Sequence, residues 1–196
     1  MLGLMQHWPL LISKVIDHAA SQFGDQEIVS RLVEGPIHRE SYRTLRSRAI
    51  KLAKTFTKAG IKSGDRIATL AWNTHRHLEL WYGITGLGGI YHTVNPRLFD
   101  DQIVYIINHA EDRMLFLDLT FVPLVERIAA RLKTIERFVI LTDAAHMPDT
   151  VLKNATAYDD FIAGTDDDFI WADFDENTAA GLCYTSGTTG HPKGVL

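Results

Sequence analysis

The sequence predicts an α/β fold: alternating strands and helices that form a mostly parallel sheet covered by helices on both faces. Two observations predict it. Short apolar runs such as residues 66–71, 90–94, 114–117 and 138–141 alternate with segments whose apolar residues recur at helical spacing. Strands separated by helices require crossover connections, and these join parallel strands while laying helices on the sheet.

Residues 9–23 carry Leu11, Val15, Ile16, Ala19, Ala20 and Phe23 on one helical face, with Pro9 suited to a first turn and Gly24 to a C-cap. Residues 27–33 and 37–42 flank Glu34-Gly35-Pro36, a turn-forming cluster, and predict a hairpin. A helix follows with Leu45, Ala49, Leu52, Ala53 and Phe56 on its apolar face, and Gly60 is placed to end it in the left-handed conformation. Helices are then expected at 77–85, 101–108 and 122–132, between the strands named above, with a short helical piece at 158–163. Residues 143–154 and 165–175, rich in Asp, Thr and Pro, read as surface loop.

At 46% hydrophobic and 22% charged, the 196 residues can bury a real core. A formal net charge of -4, with Lys and Arg scattered, lacks the basic excess that a phosphate backbone demands, so no nucleic-acid partner is expected. Cys183 is the single cysteine, which excludes an intrachain disulfide and a Cys-rich zinc site. Lys14 and Asp17 interrupt the first apolar stretch before it reaches spanning length. The expectation is a cytoplasmic protein without a transmembrane segment.

The chemistry concentrates after the apolar run 179–184. Residues 185–194 hold four hydroxyl side chains, three glycines and one lysine. Gly187, Gly190 and Gly194 let backbone N–H groups approach and converge on an anion. Thr185, Ser186, Thr188 and Thr189 add donors, and Lys193 adds a compact cation on a long stem that can follow charge as a phosphoanhydride breaks. The alternative is a hydroxyl-rich surface turn with a solvated lysine. A Walker-type loop would end Gly-Lys-Ser/Thr and open a helix; here Pro192 precedes Lys193, and Gly194-Val195-Leu196 reads as a new strand.

The string Tyr184-Thr185-Ser186-Gly187-Thr188-Thr189-Gly190-His191-Pro192-Lys193-Gly194-Val195 resembles the signature loop of the adenylate-forming (AMP-binding) superfamily of acyl-CoA synthetases, luciferases and peptide-synthetase adenylation domains. Ser41-Tyr42 with Leu45, residues 64–68, residues 91–98 and residues 103–118 resemble the medium- and long-chain fatty acyl-CoA synthetase branch. The resemblance covers nearly the whole chain. It implies an incomplete N-terminal part of the family's large domain, residues 1–196, truncated after the phosphate-binding loop, with adenine, acyl and CoA sites lying further on. It implies ATP, Mg2+ and coenzyme A acting on a carboxylic acid, fatty or a short thioether acid. It assigns Lys193 as catalytic, Thr185, Ser186, Gly187, Thr188, Thr189, Gly190 and Lys193 as nucleotide-binding, and Thr185 as the magnesium contact. A homodimer is expected of the full-length enzyme. The isolated chain is expected to be inactive as a synthetase, only marginally stable and prone to aggregate. Two readings of other classes compete: another kind of P-loop NTPase, which requires a helix directly after Lys193, and a non-catalytic binding unit.

Elsewhere, His75, His77 and His92 read as surface or satisfied core histidines, since no carboxylate accompanies them at metal-ligand spacing. By the resemblance, His92 and Asn95 either shape a substrate-side wall or are structural. The glycines at 86, 88 and 89 follow a helix, the wrong order for a dinucleotide fingerprint, and suit close packing. Asp166-Asp167-Asp168 reads as a solvated acidic run. Cys183 reads as core, and Trp72, Trp81 and Trp171 as core or core-edge.

Overall fold

The computed structural model describes residues 1, 3–5, 7–185 and 191–196. In chain order it comprises α1 (Ile12–Gln22), β1 (Glu27–Arg31), β2 (Ile37–Ser41), α2 (Tyr42–Lys58), β3 (Arg66–Leu70), α3 (His75–Gly86), β4 (Ile90–Thr93), α4 (Asp100–Ala110), β5 (Met114–Leu117), α5 (Val122–Ile128), β6 (Arg137–Ile140), β7 (Ala155–Ala157), α6 (Tyr158–Ile162), β8 (Gly181–Thr185) and β9 (Lys193–Val195). The hairpin β1–β2 is antiparallel and separate. The other strands form one sheet in the order β7-β6-β5-β3-β4-β8-β9, parallel throughout except for the β8–β9 pair.

The period of two along each strand divides the core between the two faces of the sheet. Ile67, Met114, Phe116, Val139 and Leu141 pack against Leu52 and Phe56 of α2, Leu80 and Ile84 of α3, and Tyr158 and Phe161 of α6. Their neighbours Ala68, Leu70, Leu115, Leu117 and Ile140 pack against Ile103 and Ile107 of α4 and Val125 and Ile128 of α5. All four residues of β5 are buried. Each such large apolar side chain removed from water stabilises the fold by roughly 1.5–3 kcal/mol, so the doubly covered centre of the sheet dominates its stability.

Helix ends obey local chemistry. Ser41 caps α2, its Oγ accepting from the Thr44 N–H at 3.2 Å. At the other end Gly60 adopts φ +76°, which lets Ile61 N–H reach the Phe56 carbonyl and Gly60 N–H the Thr57 carbonyl, both at 3.0 Å. The end of α3 repeats the arrangement: Gly88 has φ +80°, and Gly89 N–H donates to the Ile84 carbonyl at 3.0 Å. Gly86 is needed for space instead, because a Cβ there would lie 2.3 Å from the Trp171 ring.

A buried polar network ties the hairpin to α2, α3 and α6. Glu79 accepts from Arg48 Nε at 2.8 Å and from the Tyr158 hydroxyl at 2.6 Å. Arg76 donates to Glu34 at 2.8 Å and to the Leu141 carbonyl at 3.0 Å. Burial pushes the Glu79 and Glu40 carboxyls up to about 7, against the pull of Arg48. His75 stacks on His38 with centroids 3.8 Å apart. Its burial, with His38, Arg76 and Arg48 nearby, lowers it to about 2.

Several expectations need correction. Pro9 lies ahead of α1 rather than in its first turn, and Gly24, beyond the Phe23 cap, lacks positive φ; a Cβ on it would meet Arg43 and the Ala20 carbonyl. The helix expected to run to residue 132 leaves α geometry at Ala129 for a 3-10 turn. Strand β7 falls within Ala-Thr-Ala, which has too little apolar pattern to announce itself; parallel pairing with β6 makes the strand. The acidic run is tethered rather than merely solvated: Lys54 bonds Asp166 and the Asp168 carbonyl, and Ser47 donates to Asp167 at 2.6 Å. Among the described residues no helix is long and apolar enough to cross a membrane.

Two predictions follow from this packing. Gly60 has open space around it but left-handed backbone, so Gly60→Ala is expected to cost about 1 kcal/mol and Gly60→Asn clearly less; urea unfolding of the chain measures both, and equal costs would contradict the cap. His75 is held neutral when folded, so its contribution is present above pH 6.5 and lost as pH falls toward 2, with a slope of at most about 1.4 kcal/mol per pH unit. Glu40 and Glu79, raised to about 7, act oppositely, contributing below pH 4.5 and losing that contribution as pH rises through 7. His75→Phe removes the first term alone, so its stability relative to the parent chain should rise steadily from pH 7 to pH 4.5; a pH-independent difference would contradict this.

Candidate active site

Strand β8 adds to the sheet by pairing Gly181 and Leu182 with Tyr91 and His92 of β4. Strand β9 then pairs antiparallel to β8, with Cys183 opposite Val195, Tyr184 opposite Gly194 and Thr185 opposite Lys193. Directly opposed residues of an antiparallel pair project to the same side, with Cβ atoms about 4.5–5.5 Å apart. The Thr185 hydroxyl and the Lys193 side chain therefore stand side by side, and both residues are exposed. Ser186, Gly187, Thr188, Thr189 and Gly190, assigned to the same site, lie outside the described residues. Lys193 opens a strand, not a helix, which removes the Walker-type alternative.

Alternation also explains the next glycine. Leu182 and Tyr184 turn toward the core on the α4 side, and a Cβ on Gly194 would lie 3.2 Å from both. Cys183 belongs to the other side and is exposed. The expectation that it is core is thus overturned: among the described residues no helix covers that face of β8, so an apolar run is buried on one side only.

Thr185 ends β8 two register positions beyond the level of Thr93, the last residue of β4. Strand β3 leads to α3 on one face and β4 leads to α4 on the other. Divergence of this kind opens a crevice beyond the strand ends, the usual ligand position in open parallel sheets. On the α3 side of β4, between α3 and the hairpin, lies a cleft of about 450 Å3 lined by Ser30, Asn73, His77, Trp81, Tyr91 and Thr93. His77 bonds Tyr91 and Thr69 at its wall, and burial lowers it to about 4. Trp81, which lines this cleft, and Trp72, which packs on Phe121, are exposed rather than core or core-edge as expected. After β5, Asp118 accepts from Trp72 N–H at 2.5 Å, and burial raises its carboxyl to about 6. A wider cleft of about 700 Å3, between α1 and α2 and lined by Trp8, Lys14, Arg43 and Arg46, is remote from β8.

On the α4 side of β8, His92 and Asp112 form a fully buried pair at 2.6 Å. Burial pushes the Asp112 carboxyl up while His92 draws it down. His92 is therefore paired core that fastens β4 to the start of β5. Asn95 is exposed and accepts from Arg97 N–H at 2.9 Å. Beside them Tyr184 shares a 2.7 Å hydrogen bond with His109, and Tyr105 stacks on both His109 and His191. Sequence reading missed this cluster; the signal available was the four-residue spacing of Tyr105 and His109, which puts both on one face of a helix.

Thr185 offers magnesium a single hydroxyl oxygen, and the described residues contain no cluster of three or more His, Cys, Asp or Glu side chains that could hold a metal. That donor set fits an ion shared with phosphate and water, as magnesium prefers, and not an all-protein cage.

Comparisons with known proteins now give this geometry a context. The chain is 50% identical, over all of its 196 residues, to 3-methylmercaptopropionyl-CoA ligase of Ruegeria pomeroyi, and 45% identical over the same length to medium-chain-fatty-acid–CoA ligase of Ectopseudomonas oleovorans. It spans 36% of the length of each. In fold it is similar to the crystal structure of the anthranilate CoA ligase AuaEII in complex with anthranoyl-AMP, with a TM-score of 0.82 at 22% identity, covering 97% of this chain and 36% of that one. The pattern of the AMP-binding enzymes matches residues 16–196, and the chain accordingly belongs to the AMP-binding enzyme family.

Proposed function

We propose that residues 1–196 form the N-terminal part of the large domain of an ATP-dependent acid–thiol ligase, an acyl-CoA synthetase acting in the cytoplasm on a fatty acid or a short thioether acid. The observation that carries this reading is the register of β8 and β9, which sets Thr185 beside Lys193 at the crevice end of a parallel sheet. The CoA-ligase relatives support the reaction class.

In the first half-reaction the substrate carboxylate attacks the α-phosphorus of ATP, the α–β anhydride bond breaks, and pyrophosphate leaves from an acyl-adenylate. Lys193 meets the charge that grows on the departing pyrophosphate, and the loop between Thr185 and Lys193 supplies donors that hold the β- and γ-phosphates in line. Thr185 Oγ1 is the oxygen this chain would offer a magnesium ion, which would supply neutralisation of phosphate charge. In the second half-reaction the CoA thiol attacks the acyl carbon and AMP leaves, with no polyphosphate to hold. By itself the chain is expected to release no acid-dependent pyrophosphate.

The test uses residues 1–196 joined to the remaining length of the Ruegeria pomeroyi ligase. Lys193→Ala is expected to slow acyl-adenylate formation roughly a hundredfold, about 3 kcal/mol, with little change in ATP binding. Lys193→Arg should recover little, since a planar fork cannot replace a compact ammonium. Thioester formation from supplied acyl-adenylate should be largely spared. Rapid-quench measurement of each half-reaction separates the outcomes, and equal losses in both, or none in the first, would refute the assignment.

A further inference from the structure

The segment 186–190 is bounded by two aromatic residues, Tyr184 and His191, and both rest on the same turn of α4. His191 stacks on Tyr105, with ring centroids 4.7 Å apart and planes 20° from parallel. Tyr105 stacks in turn on His109, at 5.3 Å and 27°. His109 Nδ1 shares a 2.7 Å hydrogen bond with the Tyr184 hydroxyl, and the two rings meet edge to face at 5.8 Å. Tyr105 and His109 are four positions apart, so they stand one above the other on a single helical face. Tyr105 also packs against the core beside α5, and Tyr184 lies against both the main α4-side core and the small cluster of Ile90, Ala110 and Leu182. The platform is thus continuous with the packed core.

We propose that Tyr105 and His109 are positioning residues for polyphosphate: one turn of α4 fixes the distance and tilt between the two ends of the segment that carries Ser186 to Gly190, and so fixes Thr185 and Lys193 relative to the phosphates. The proposal rests on the functional reading above. Neither residue touches the reacting atoms. Their effect is exerted through Tyr184, one position before Thr185, and His191, two positions before Lys193. Offset-stacked aromatic rings hold position through shape and quadrupole, and any aromatic ring of similar size supplies that.

The hybrid enzyme described above tests it. Tyr105→Leu and His191→Ala should each raise KM for MgATP in acyl-adenylate formation roughly threefold to tenfold, with thioester formation from supplied acyl-adenylate unaltered. Tyr105→Phe and His191→Phe, which keep the stack, should restore KM. A purely structural contact would instead lower both half-reactions together by reducing the amount of folded enzyme. An unchanged KM in Tyr105→Leu, while Lys193→Ala still impairs adenylation, would overturn the proposal and leave the functional reading standing. A silent Lys193→Ala would remove the functional reading, and with it the role proposed for the platform. The platform itself is read in the 196-residue chain by NMR: the His191 imidazole protons should be shifted upfield by the Tyr105 ring, and Tyr105→Leu should abolish the shift. Absence of that shift in the parent chain would also overturn the proposal.

Discussion

Strand β3 sets the registers on which everything else is built. Its five residues pair in parallel with β4 on one side, Arg66 opposite Ile90, and with β5 on the other, Ile67 opposite Met114. Its side chains alternate between the two cores, Ile67 toward α2 and α3, Ala68 and Leu70 toward α4 and α5. Arg66 closes the arrangement by donating to the Ala110 carbonyl at 2.5 Å and to Glu111 at 2.7 Å, which fixes the end of α4 at the start of the sheet. From β3 the register passes to β4, then to β8 through Tyr91 and Gly181, and finally to β9 through Thr185 and Lys193. A one-residue slip of β8 on β4 would turn Tyr184 outward and Thr185 inward, and one of β9 on β8 would part Lys193 from Thr185. The placement of Thr185 beside Lys193 is thus a consequence of apolar side chains several strands away.

The two sides of the sheet do different work. On the α2–α3–α6 side, the polar network of Arg48, Glu79, Arg76 and Glu34 holds the hairpin to the body. Breaking a buried pair of this kind by removing one partner typically costs 3–5 kcal/mol, so the network specifies where the hairpin docks even though its ions gain little over a hydrophobic contact. On the α4 side, β8 is anchored by the His92–Asp112 pair beneath it and by the Tyr105–His109 platform beside it. The outward face of β8, with Cys183 and Thr185, is exposed and carries no such cover among the described residues.

Much of this was legible in the sequence because it is local. The helical face of Leu45, Ala49, Leu52 and Phe56, the left-handed stop at Gly60 and strand β5 are consequences of residues within one segment, and each stands within a residue or two of its expected place. The family was legible for the same reason: the hydroxyls, glycines and Lys193 that carry the resemblance occur within ten residues. Features made by tertiary contact were not. Strand β7 exists because β6 lies beside it, Cys183 is exposed because one face of β8 is uncovered, and Asp166 is tethered because Lys54 of α2 lies within reach. The Tyr105–His191 contact joins residues 86 positions apart, and no local pattern at His191 announces it.

In the proposed function, strand pairing brings Thr185 and Lys193 to bear on one polyphosphate. A double-mutant cycle on the rate of acyl-adenylate formation in the hybrid enzyme tests it most directly, with Thr185→Ala, Lys193→Ala and the combination. Groups that act on the same ligand through one network couple by about 0.5–3 kcal/mol. The double variant is expected to lose markedly less than the product of the two single losses. Strictly multiplicative losses, or a Thr185→Ala variant that adenylates at the parent rate, would contradict it.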